Sequence, residues 1–352
     1  MPYIRLVNVT KRFGQVTAVN ELNLEIEKGE CFSMLGPSGC GKTTTLRMLA
    51  GFEDLSDGEI HVGGRLFSSP RQNFYLPPEK RDFGMVFQAF AVWPHLSVYE
   101  NVAFPLRIRK LPKAEIERRA TDALRSTNLL GAAAGSPENL SGGGKQRVAL
   151  ARALAINPDV MLLDEPLSSL DPHLREEMRF EIKELQRKYG FAIVYVTHDQ
   201  AEAMALSDRI MVMRQGEMQQ IDSPLNVYNN PANRFVFSFI GLSNFLRVSR
   251  TDGHAGLGTG SLPTELAPPE GLPPHSGLTL ASRPSEIDFL AQGGLRGKVS
   301  RKSFLGEIVD YHLRLEDGQS LRVQKNRRLP GPEEGESCGL LLRRPFWYTD
   351  EN

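Results

Sequence analysis

The sequence predicts an α/β domain with a largely parallel sheet, followed by a small all-β barrel. Three observations support this: a length of 352 residues, a change of hydrophobic period along the chain, and a rise in glycine and proline near residue 240. Glycine plus proline make up 31 of residues 1–240 and 24 of residues 241–352. Since domains commonly span about 100–200 residues, we expect two, at 1–240 and 241–352.

In the first domain, short and wholly apolar runs alternate with helical segments. Short apolar strands are typical of a parallel sheet that helices cover on both faces. We therefore expect this sheet to be covered on both faces. The strand-like runs are 31–35, 160–163 and 192–196, and the helical stretches are 42–50, 148–156 and 175–188.

In the second domain, apolar and polar residues alternate from Val309 to Glu316. Asp317 and Gly318 offer a two-residue turn, and the alternation resumes at Leu321. This pattern predicts a half-buried antiparallel hairpin. Residues 253–277 are rich in glycine and proline, which is typical of loops that join short strands, so we expect a barrel of the OB type.

Charge and composition exclude several classes of protein. Lysine plus arginine and aspartate plus glutamate both number 42, so no net charge attracts a polyanion, and we expect no nucleic-acid partner. Cys31, Cys40 and Cys338 are too few and too scattered for a disulfide framework or a zinc site. No run approaches the ~18 apolar residues of a spanning helix. We expect a chain of the reducing cytosol that reaches a membrane only through a partner.

A phosphate-binding loop follows the first apolar run. Residues 36–43 satisfy G-x-x-x-x-G-K-[ST] and precede a helical stretch, the context that this motif requires. In such a loop the backbone N–H groups surround phosphate oxygens, Lys42 contacts the β- and γ-phosphates, and the Thr43 hydroxyl ligates Mg²⁺. The expected nucleotide-binding residues are Gly36, Pro37, Ser38, Gly39, Cys40, Gly41, Lys42, Thr43 and Thr44.

Two acidic residues end the apolar run at 160–163. A buried strand that ends in Asp164 would deliver this carboxylate to Mg²⁺, and Glu165 would polarise the attacking water. Alternatively, the two acids only cap the turn at Pro166. The phosphate loop elsewhere in the chain favours the catalytic interpretation.

Residues 140–147, Leu-Ser-Gly-Gly-Gly-Lys-Gln-Arg, precede a helix rich in alanine and leucine. Together with the phosphate loop and the acidic pair, they resemble the signature of the ATP-binding-cassette (ABC) ATPases. Ser141 as a helix N-cap, followed by Gly142 and Gly143, would form a second anion site. The sequence departs from the family at Gly144, where glutamine is most common. The phosphate-contacting positions of the motif, Ser141 and Gly143, are retained.

The resemblance assigns further roles by position. Phe13 would stack on adenine, although the family usually has tyrosine there. Gln88 would sense Mg²⁺ and the lytic water, Asp171 lies in the loop that crosses between subunits, and His198 would contact the γ-phosphate. The resemblance thus implies catalytic roles for Lys42, Gln88, Glu165 and His198, and Mg²⁺ ligation by Thr43, Gln88 and Asp164.

The resemblance also implies an assembly. It places a helical subdomain at about 89–157, whose segment 89–101 meets transmembrane subunits. Two copies of the chain would enclose two ATP molecules head to tail, beside two permease subunits and an extracytoplasmic binding protein, at the cytoplasmic face of the inner membrane. A soluble ABC protein that acts on DNA or ribosomes is less favoured, since the chain carries one cassette without a long coiled-coil insertion. Glu165 disfavours a non-hydrolysing switch.

The second domain narrows the expected cargo. Residues 283–286 and 303–306 resemble the regulatory domain of importers for maltose, polyamines and ferric iron. Residues 88–97 are most like ferric-iron importer ATPases, so ferric iron is the expected cargo, with polyamine, sugar or another anion as alternatives. The domain itself is expected to bind a second copy of the chain, a small regulatory ligand or an inhibitory protein. We favour self-association, because the ATP-bound dimer must open to release product.

Overall fold

The computed structural model describes residues 2–251, 254–257, 260–261, 266, 268 and 277–349. It divides into two compact units, Met1–Asn230 and Pro231–Asn352. The division lies at residue 230 instead of 240, because helix Arg234–Phe239 buries Phe237 against Tyr348 of the second unit. Most of the loop region expected at 253–277 lies outside the described residues.

The first unit contains two sheets and seven helices in its described part. The strands are β1 (Ile4–Phe13), β2 (Val16–Ile26), β3 (Cys31–Leu35), β4 (Asp57–Val62), β5 (Arg65–Ser69), β6 (Phe74–Tyr75), β7 (Gly84–Val86), β8 (Val160–Asp164), β9 (Ala192–Val196), β10 (Arg209–Arg214) and β11 (Glu217–Asp222). The helices are α1 (Lys42–Ala50), α2 (Val98–Ile108), α3 (Lys113–Ser126), α4 (Gly142–Ala155), α5 (Pro172–Tyr189), α6 (Gln200–Leu206) and α7 (Pro224–Asn229).

The central sheet has the order β11-β10-β3-β9-β8-β7. All neighbouring pairs are parallel except β10 with β11, which confirms the predicted largely parallel sheet. Every residue of β3, β8 and β9 is buried, as expected for a sheet covered on both faces. Val196 pairs with Met34 on one side and with Asp164 on the other. The loops that follow β3, β8 and β9 therefore emerge at one edge of the sheet.

The second sheet of this unit is antiparallel, with the order β2-β1-β4-β5-β6. Alternate residues of β4 face inward, and its apolar side chains share a core with β3, β9 and α1. On the other side of the central sheet, α2, α3 and α4 pack on one another and on β8. Strand β3, which leads into the phosphate loop, is fully buried between the antiparallel sheet on one side and these helices on the other.

Two of the predicted helices are longer than the sequence indicated. The apolar stretch expected at 148–156 belongs to a helix that begins at Gly142, and Ser141, the expected N-cap, caps its first turn. The helix expected at 175–188 spans Pro172–Tyr189, since the Asp171 side chain caps its start and Gly190 ends it in the left-handed conformation, with φ 70°. Within the described ranges, no helix is both long and apolar enough to cross a membrane.

In its described part, the second unit contains two five-stranded sheets around a shared apolar core. Its elements are α8 (Arg234–Phe239), β12 (Asn244–Thr251), β13 (His254–Leu257), β14 (Gly260–Ser261), β15 (Leu278–Ser282), β16 (Ile287–Leu290), β17 (Leu295–Phe304), β18 (Ile308–Leu315), β19 (Ser320–Asn326), β20 (Ser337–Leu342) and β21 (Phe346–Thr349). The sheet orders are β14-β13-β12-β15-β21 and β16-β20-β17-β18-β19, and all neighbouring strands in them are antiparallel. The predicted all-β fold of this region is confirmed.

The predicted hairpin is formed by β18 and β19, but its connection differs from the expected one. Four residues, 316–319, separate the strands instead of two, because the Leu315 N–H donates to the Gln319 carbonyl at 2.9 Å. The alternation also fails at Asp310, which is buried. Its carboxylate accepts hydrogen bonds from Arg322 Nε at 2.7 Å and Gln324 Nε2 at 3.1 Å, which offset the cost of burying the charge.

Candidate functional site

The phosphate loop connects β3 to α1. Lys42 is 6% exposed, and its Nζ donates to the carbonyls of Gly36 at 2.7 Å and Pro37 at 3.1 Å. Helix α1 begins after Gly41 with no side-chain cap and no acidic residue in its first turn. The first N–H groups of a helix lack partners within that helix, so this end of α1 can receive an anion.

Backbone contacts explain two of the glycines in the loop. A Cβ at Gly36 would lie 2.4 Å from the Met213 carbonyl oxygen, and a Cβ at Gly41 would lie 2.5 Å from that of Ala18. Gly41 also has φ 107°, which L-residues rarely adopt. Strands β2 and β10 therefore hold the loop so closely that no side chain fits at these positions.

The remaining predicted residues of the loop differ in exposure. Pro37, Ser38 and Gly39 are exposed, whereas Thr43 and Thr44 are half-buried. Cys40 is buried, with its Sγ 3.6 Å from Lys42 Nζ. The exposed residues 37–39 leave the loop open to a ligand, and the backbone N–H groups of such a loop can bind phosphate oxygens beside the buried Lys42.

Thr43 and Asp164 form a candidate Mg²⁺ site. Thr43 Oγ1 donates to Asp164 Oδ1 at 3.3 Å. Burial raises the pKa of Asp164, and the neighbouring Glu165 carboxylate raises it further, against the hydrogen bond from Thr43. A divalent cation would favour the ionised form of such a carboxyl. No cluster of three or more His, Cys, Asp or Glu that could hold a metal occurs among the described residues. Mg²⁺ needs only one or two carboxylates when phosphate and water oxygens complete its shell.

Two predicted catalytic side chains contact the same carboxylate oxygen of a third, Glu165. Gln88 Nε2 donates to Glu165 Oε2 at 3.3 Å, and His198 Nδ1 lies 3.2 Å from the same oxygen. The Glu165 backbone, with φ 46°, is held in the left-handed region by a hydrogen bond of 2.8 Å from its N–H to the Val196 carbonyl. The Glu165 side chain is 21% exposed, so solvent water reaches it. A fixed carboxylate in contact with water can act as a general base.

The signature segment begins α4. Ser141 Oγ accepts a hydrogen bond from the Gly144 N–H at 3.2 Å. A Cβ at Gly143 would lie 2.7 Å from Leu174 Cδ2, and one at Gly144 would lie 2.9 Å from Leu140 Cβ. Glycine at position 144, where the family most often has glutamine, thus allows close packing against Leu140.

The structure does not bring every predicted residue into one site. No hydrogen bond among the described residues joins Ser141 to the phosphate loop. Asp171 accepts a hydrogen bond from the Leu174 N–H at 3.1 Å and so caps α5. The Phe13 ring is 48% exposed, with Lys11 Nζ 4.8 Å from its centroid. A ring this exposed is free to stack on a planar ligand.

An aromatic groove lies beside segment 89–101. Trp93 packs on Phe104 with ring centroids 4.6 Å apart, and the Arg152 guanidinium lies 4.6 Å from the Trp93 ring centroid. Arg152 also donates to the Ala91 carbonyl at 2.6 Å, which ties α4 to this segment. The groove has a volume of about 740 Å³, and its aromatic and aliphatic lining includes Phe52, Phe87, Trp93, Phe104 and Ile108.

A polar network that the sequence did not predict lies behind His198. Arg175 on α5 contacts Asp199, which follows His198, and lies near the buried Glu202 on α6. One local signal could have indicated part of it, since an Asp followed three residues later by Glu resembles a helix capping box. The contact with Arg175 joins residues 24 positions apart and has no local signal.

Comparisons with known proteins agree with this geometry. The family model for ABC transporters matches residues 19–168, and the TOBE domain model matches residues 280–344. The chain is 46% identical over 347 residues to the spermidine/putrescine import ATP-binding protein PotA of Rubrobacter xylanophilus. That match covers 96% of this chain and 90% of the relative.

Two other similar relatives are named for different cargoes. The trehalose/maltose import ATP-binding protein MalK of Thermococcus litoralis is 51% identical over 261 residues, covering 73% of this chain and 70% of the relative. The Fe(3+) ions import ATP-binding protein FbpC of Agrobacterium fabrum is 44% identical over 317 residues, covering 88% and 87%. Ferric iron, the expected cargo, is therefore not singled out among them.

A solved structure agrees with the fold of the first unit. It is a dimeric ATP-binding cassette in a post-hydrolysis state bound to ADP and Pi, 33% identical to this chain with a TM-score of 0.54. The match covers 63% of this chain and 98% of the solved chain.

Proposed function

This chain belongs to the ABC transporter family as an ATP-binding, ATP-hydrolysing subunit of the import type, and we propose that Lys42, Gln88, Glu165 and His198 form its catalytic centre. One observation carries the proposal: Gln88 and His198 both contact Oε2 of Glu165, beside the Asp164–Thr43 pair. These side chains come from separate loops, and their convergence on one oxygen suits activation of a single water.

Each side chain of the centre has a distinct task. Lys42, held by the Gly36 and Pro37 carbonyls, exchanges these partners for the β- and γ-phosphate oxygens of ATP. Glu165 accepts the proton of the attacking water. His198 keeps its Nδ1 near Glu165, which leaves Nε2 to donate to the γ-phosphate.

Mg²⁺ is the metal that this site fits, since its potential ligands are oxygen atoms of one hydroxyl, one carboxylate and one amide. Thr43, Asp164 and Gln88 would hold it, and the ion would neutralise charge that develops on the phosphates. The Thr43–Asp164 hydrogen bond already places two of these groups together.

The rest of the nucleotide site comes from a second copy of the chain. Within one chain, no hydrogen bond among the described residues joins Ser141 to the phosphate loop, although both are helix N-termini suited to phosphate. A head-to-tail homodimer would place Ser141, Gly142 and Gly143 of each copy on the ATP of the other. Asp171 would lie in the crossing loop, and Phe13 would stack on adenine.

The aromatic groove is our proposed contact for the two permease subunits. Its exposed rings and aliphatic side chains would bury apolar surface of a partner, and Arg152 links it to the signature helix. A chain docked there would be peripheral, at the cytoplasmic face of the inner membrane.

We retain ferric iron as the proposed cargo, with polyamine, sugar or another anion as alternatives, since no residue of the site would contact a cargo. The test is ATP hydrolysis by the chain reconstituted in liposomes with its cognate permease subunits and binding protein. We expect Fe³⁺ loaded on the binding protein to stimulate hydrolysis several-fold, and putrescine or maltose to have no effect. Stimulation by putrescine or maltose alone would replace iron as the cargo, and no stimulation by any of the three would contradict all of these assignments.

The second unit is proposed to keep two copies together between ATP cycles. Phe304, Leu305 and Leu329 on this unit are more than half exposed and offer apolar surface for a copy of the same unit. Light scattering of the full chain without nucleotide, at micromolar concentration, should give a dimer. A monomer would contradict this role and favour binding of a small ligand instead.

A further inference from the structure

Arg175 connects two loops of the proposed site. Its Nη2 donates to the Leu170 carbonyl at 3.0 Å, and its Nη1 donates to Asp199 Oδ2 at 3.2 Å. Leu170 immediately precedes Asp171 in the crossing loop, and Asp199 immediately follows His198. One guanidinium therefore bonds the direct neighbours of two proposed site residues.

One partner of Arg175, Asp199, also binds the start of α6. Asp199 Oδ1 accepts hydrogen bonds from the Ala201 N–H at 2.8 Å and the Glu202 N–H at 3.1 Å, which leaves Oδ2 for Arg175. Asp199 thus caps α6 and binds Arg175 at the same time. Asp199 is the direct neighbour of His198. A displacement of Arg175 would therefore act on Asp199 and, through the backbone, on His198.

A buried carboxylate faces the same guanidinium. Glu202 is 2% exposed, and its Oε2 accepts hydrogen bonds from Tyr195 Oη at 2.8 Å and Thr197 Oγ1 at 2.7 Å. Its Oε1 lies 3.8 Å from Arg175 Nε, too far for a hydrogen bond. Arg175 Nε is buried and has no hydrogen-bond partner in the described part of the chain. A shift of less than 1 Å would bring Arg175 Nε within hydrogen-bond distance of Glu202 Oε1.

We propose that Arg175 is a positioning residue that couples the crossing loop at 169–171 to His198. When a second copy engages Asp171, the guanidinium moves with the Leu170 carbonyl, and Asp199 transmits the movement to His198. Contact between subunits would thereby align His198 for hydrolysis. The inference rests on the proposed roles of Asp171 and His198.

Arg175→Lys tests the coupling because lysine keeps the charge but lacks the planar fork that reaches Leu170 and Asp199 together. A misplacement of about 1 Å can cost about 100-fold in rate. We therefore expect the kcat for ATP hydrolysis to fall about 10- to 100-fold, with the KM for ATP within about twofold of the wild-type value, as the phosphate loop is untouched. A residue that only holds α5 to α6 would lower the melting temperature and leave kcat unchanged.

Lys183→Gln is the matched control. Lys183 also lies on α5 and forms an ion pair of 3.2 Å, with Asp208, but contacts neither loop of the site. Its loss should leave kcat unchanged. A wild-type kcat in Arg175→Lys, or an equal loss in Lys183→Gln, would overturn the proposal.

Asp199→Asn covers the case in which Arg175→Lys does not fold. Asparagine retains an oxygen that can cap α6 but loses the charge opposite Arg175. We expect a similar fall in kcat, and the double variant, where it folds, should lose no more than either single one. A wild-type kcat in Asp199→Asn, or multiplicative losses in the double variant, would contradict the coupling. A different result would contradict the proposed function itself. This result is a wild-type chain whose ATP hydrolysis does not depend on Glu165.

Discussion

Glu165→Gln should leave ATP bound and slow its hydrolysis about 10²- to 10⁴-fold, the usual cost of losing a general base. Glutamine has nearly the same shape as glutamate and can still accept the hydrogen bond that Gln88 donates at 3.3 Å. It cannot take a proton from water at neutral pH. The lysine and the helix end that bind the phosphates are unchanged, so affinity for ATP should be retained. Single-turnover hydrolysis and equilibrium binding of ATP, measured on the same samples, separate the two effects.

Glu184→Gln is the control for this substitution. Glu184 lies on the exposed face of α5, so the same chemical change there should leave both hydrolysis and ATP binding at wild-type values. Turnover near the wild-type rate in Glu165→Gln would remove this residue from its assigned role. Loss of ATP binding in that variant would show instead that the carboxylate supports the loop structurally.

The phosphate loop could be predicted because its determinants are contiguous. The motif, the strand before it and the helix after it occupy residues 31–50, and each follows from local pattern and glycine geometry. The same holds for Asp164, which ends an apolar strand. Strand β9 also matched its expected bounds of 192–196, since a buried parallel strand leaves a clear apolar run.

The contacts between loops could not be predicted from the pattern of residues. Gln88 and Glu165 are 77 positions apart, and only the strand order β9-β8-β7 places their loops side by side. The resemblance implied that Gln88 senses the lytic water, but it did not indicate a contact with Glu165. The contacts of Arg175 had neither a local motif nor a resemblance to point to them.

Errors at the ends of elements have a different cause. Periodicity marks the apolar part of a helix but not its first turn, so the apolar pattern indicated α4 only from Val148, and the expectation that Ser141 caps the helix came from the signature segment. The turn between β18 and β19 was misassigned because Asp-Gly occurs both in two-residue turns and in longer connections. In both cases a hydrogen bond marks the end of the element, whereas the hydrophobic pattern does not.

Ser141→Arg should abolish most hydrolysis while a single chain still binds ATP. The bulk and flexibility of arginine at the start of α4 would keep a second copy from closing on the nucleotide, and a loss of about 100-fold or more in rate is expected, as for other misplaced reacting groups. No described hydrogen bond links Ser141 to Lys42 or the loop around it, so the affinity of the open chain for ATP should not change.

Ser141→Ala separates closure of the dimer from helix capping. Both variants lose the hydrogen bond from the Gly144 N–H to Ser141 Oγ, at a cost of about 0.5–2 kcal/mol in stability, but only arginine adds bulk. We therefore expect similar losses in thermal stability and a much larger loss of hydrolysis in Ser141→Arg. ATP-dependent dimerisation, followed by light scattering in the Glu165→Gln background, should fail in Ser141→Arg alone. Wild-type hydrolysis by a stable Ser141→Arg chain would mean that each chain completes its own site, and it would contradict the head-to-tail dimer.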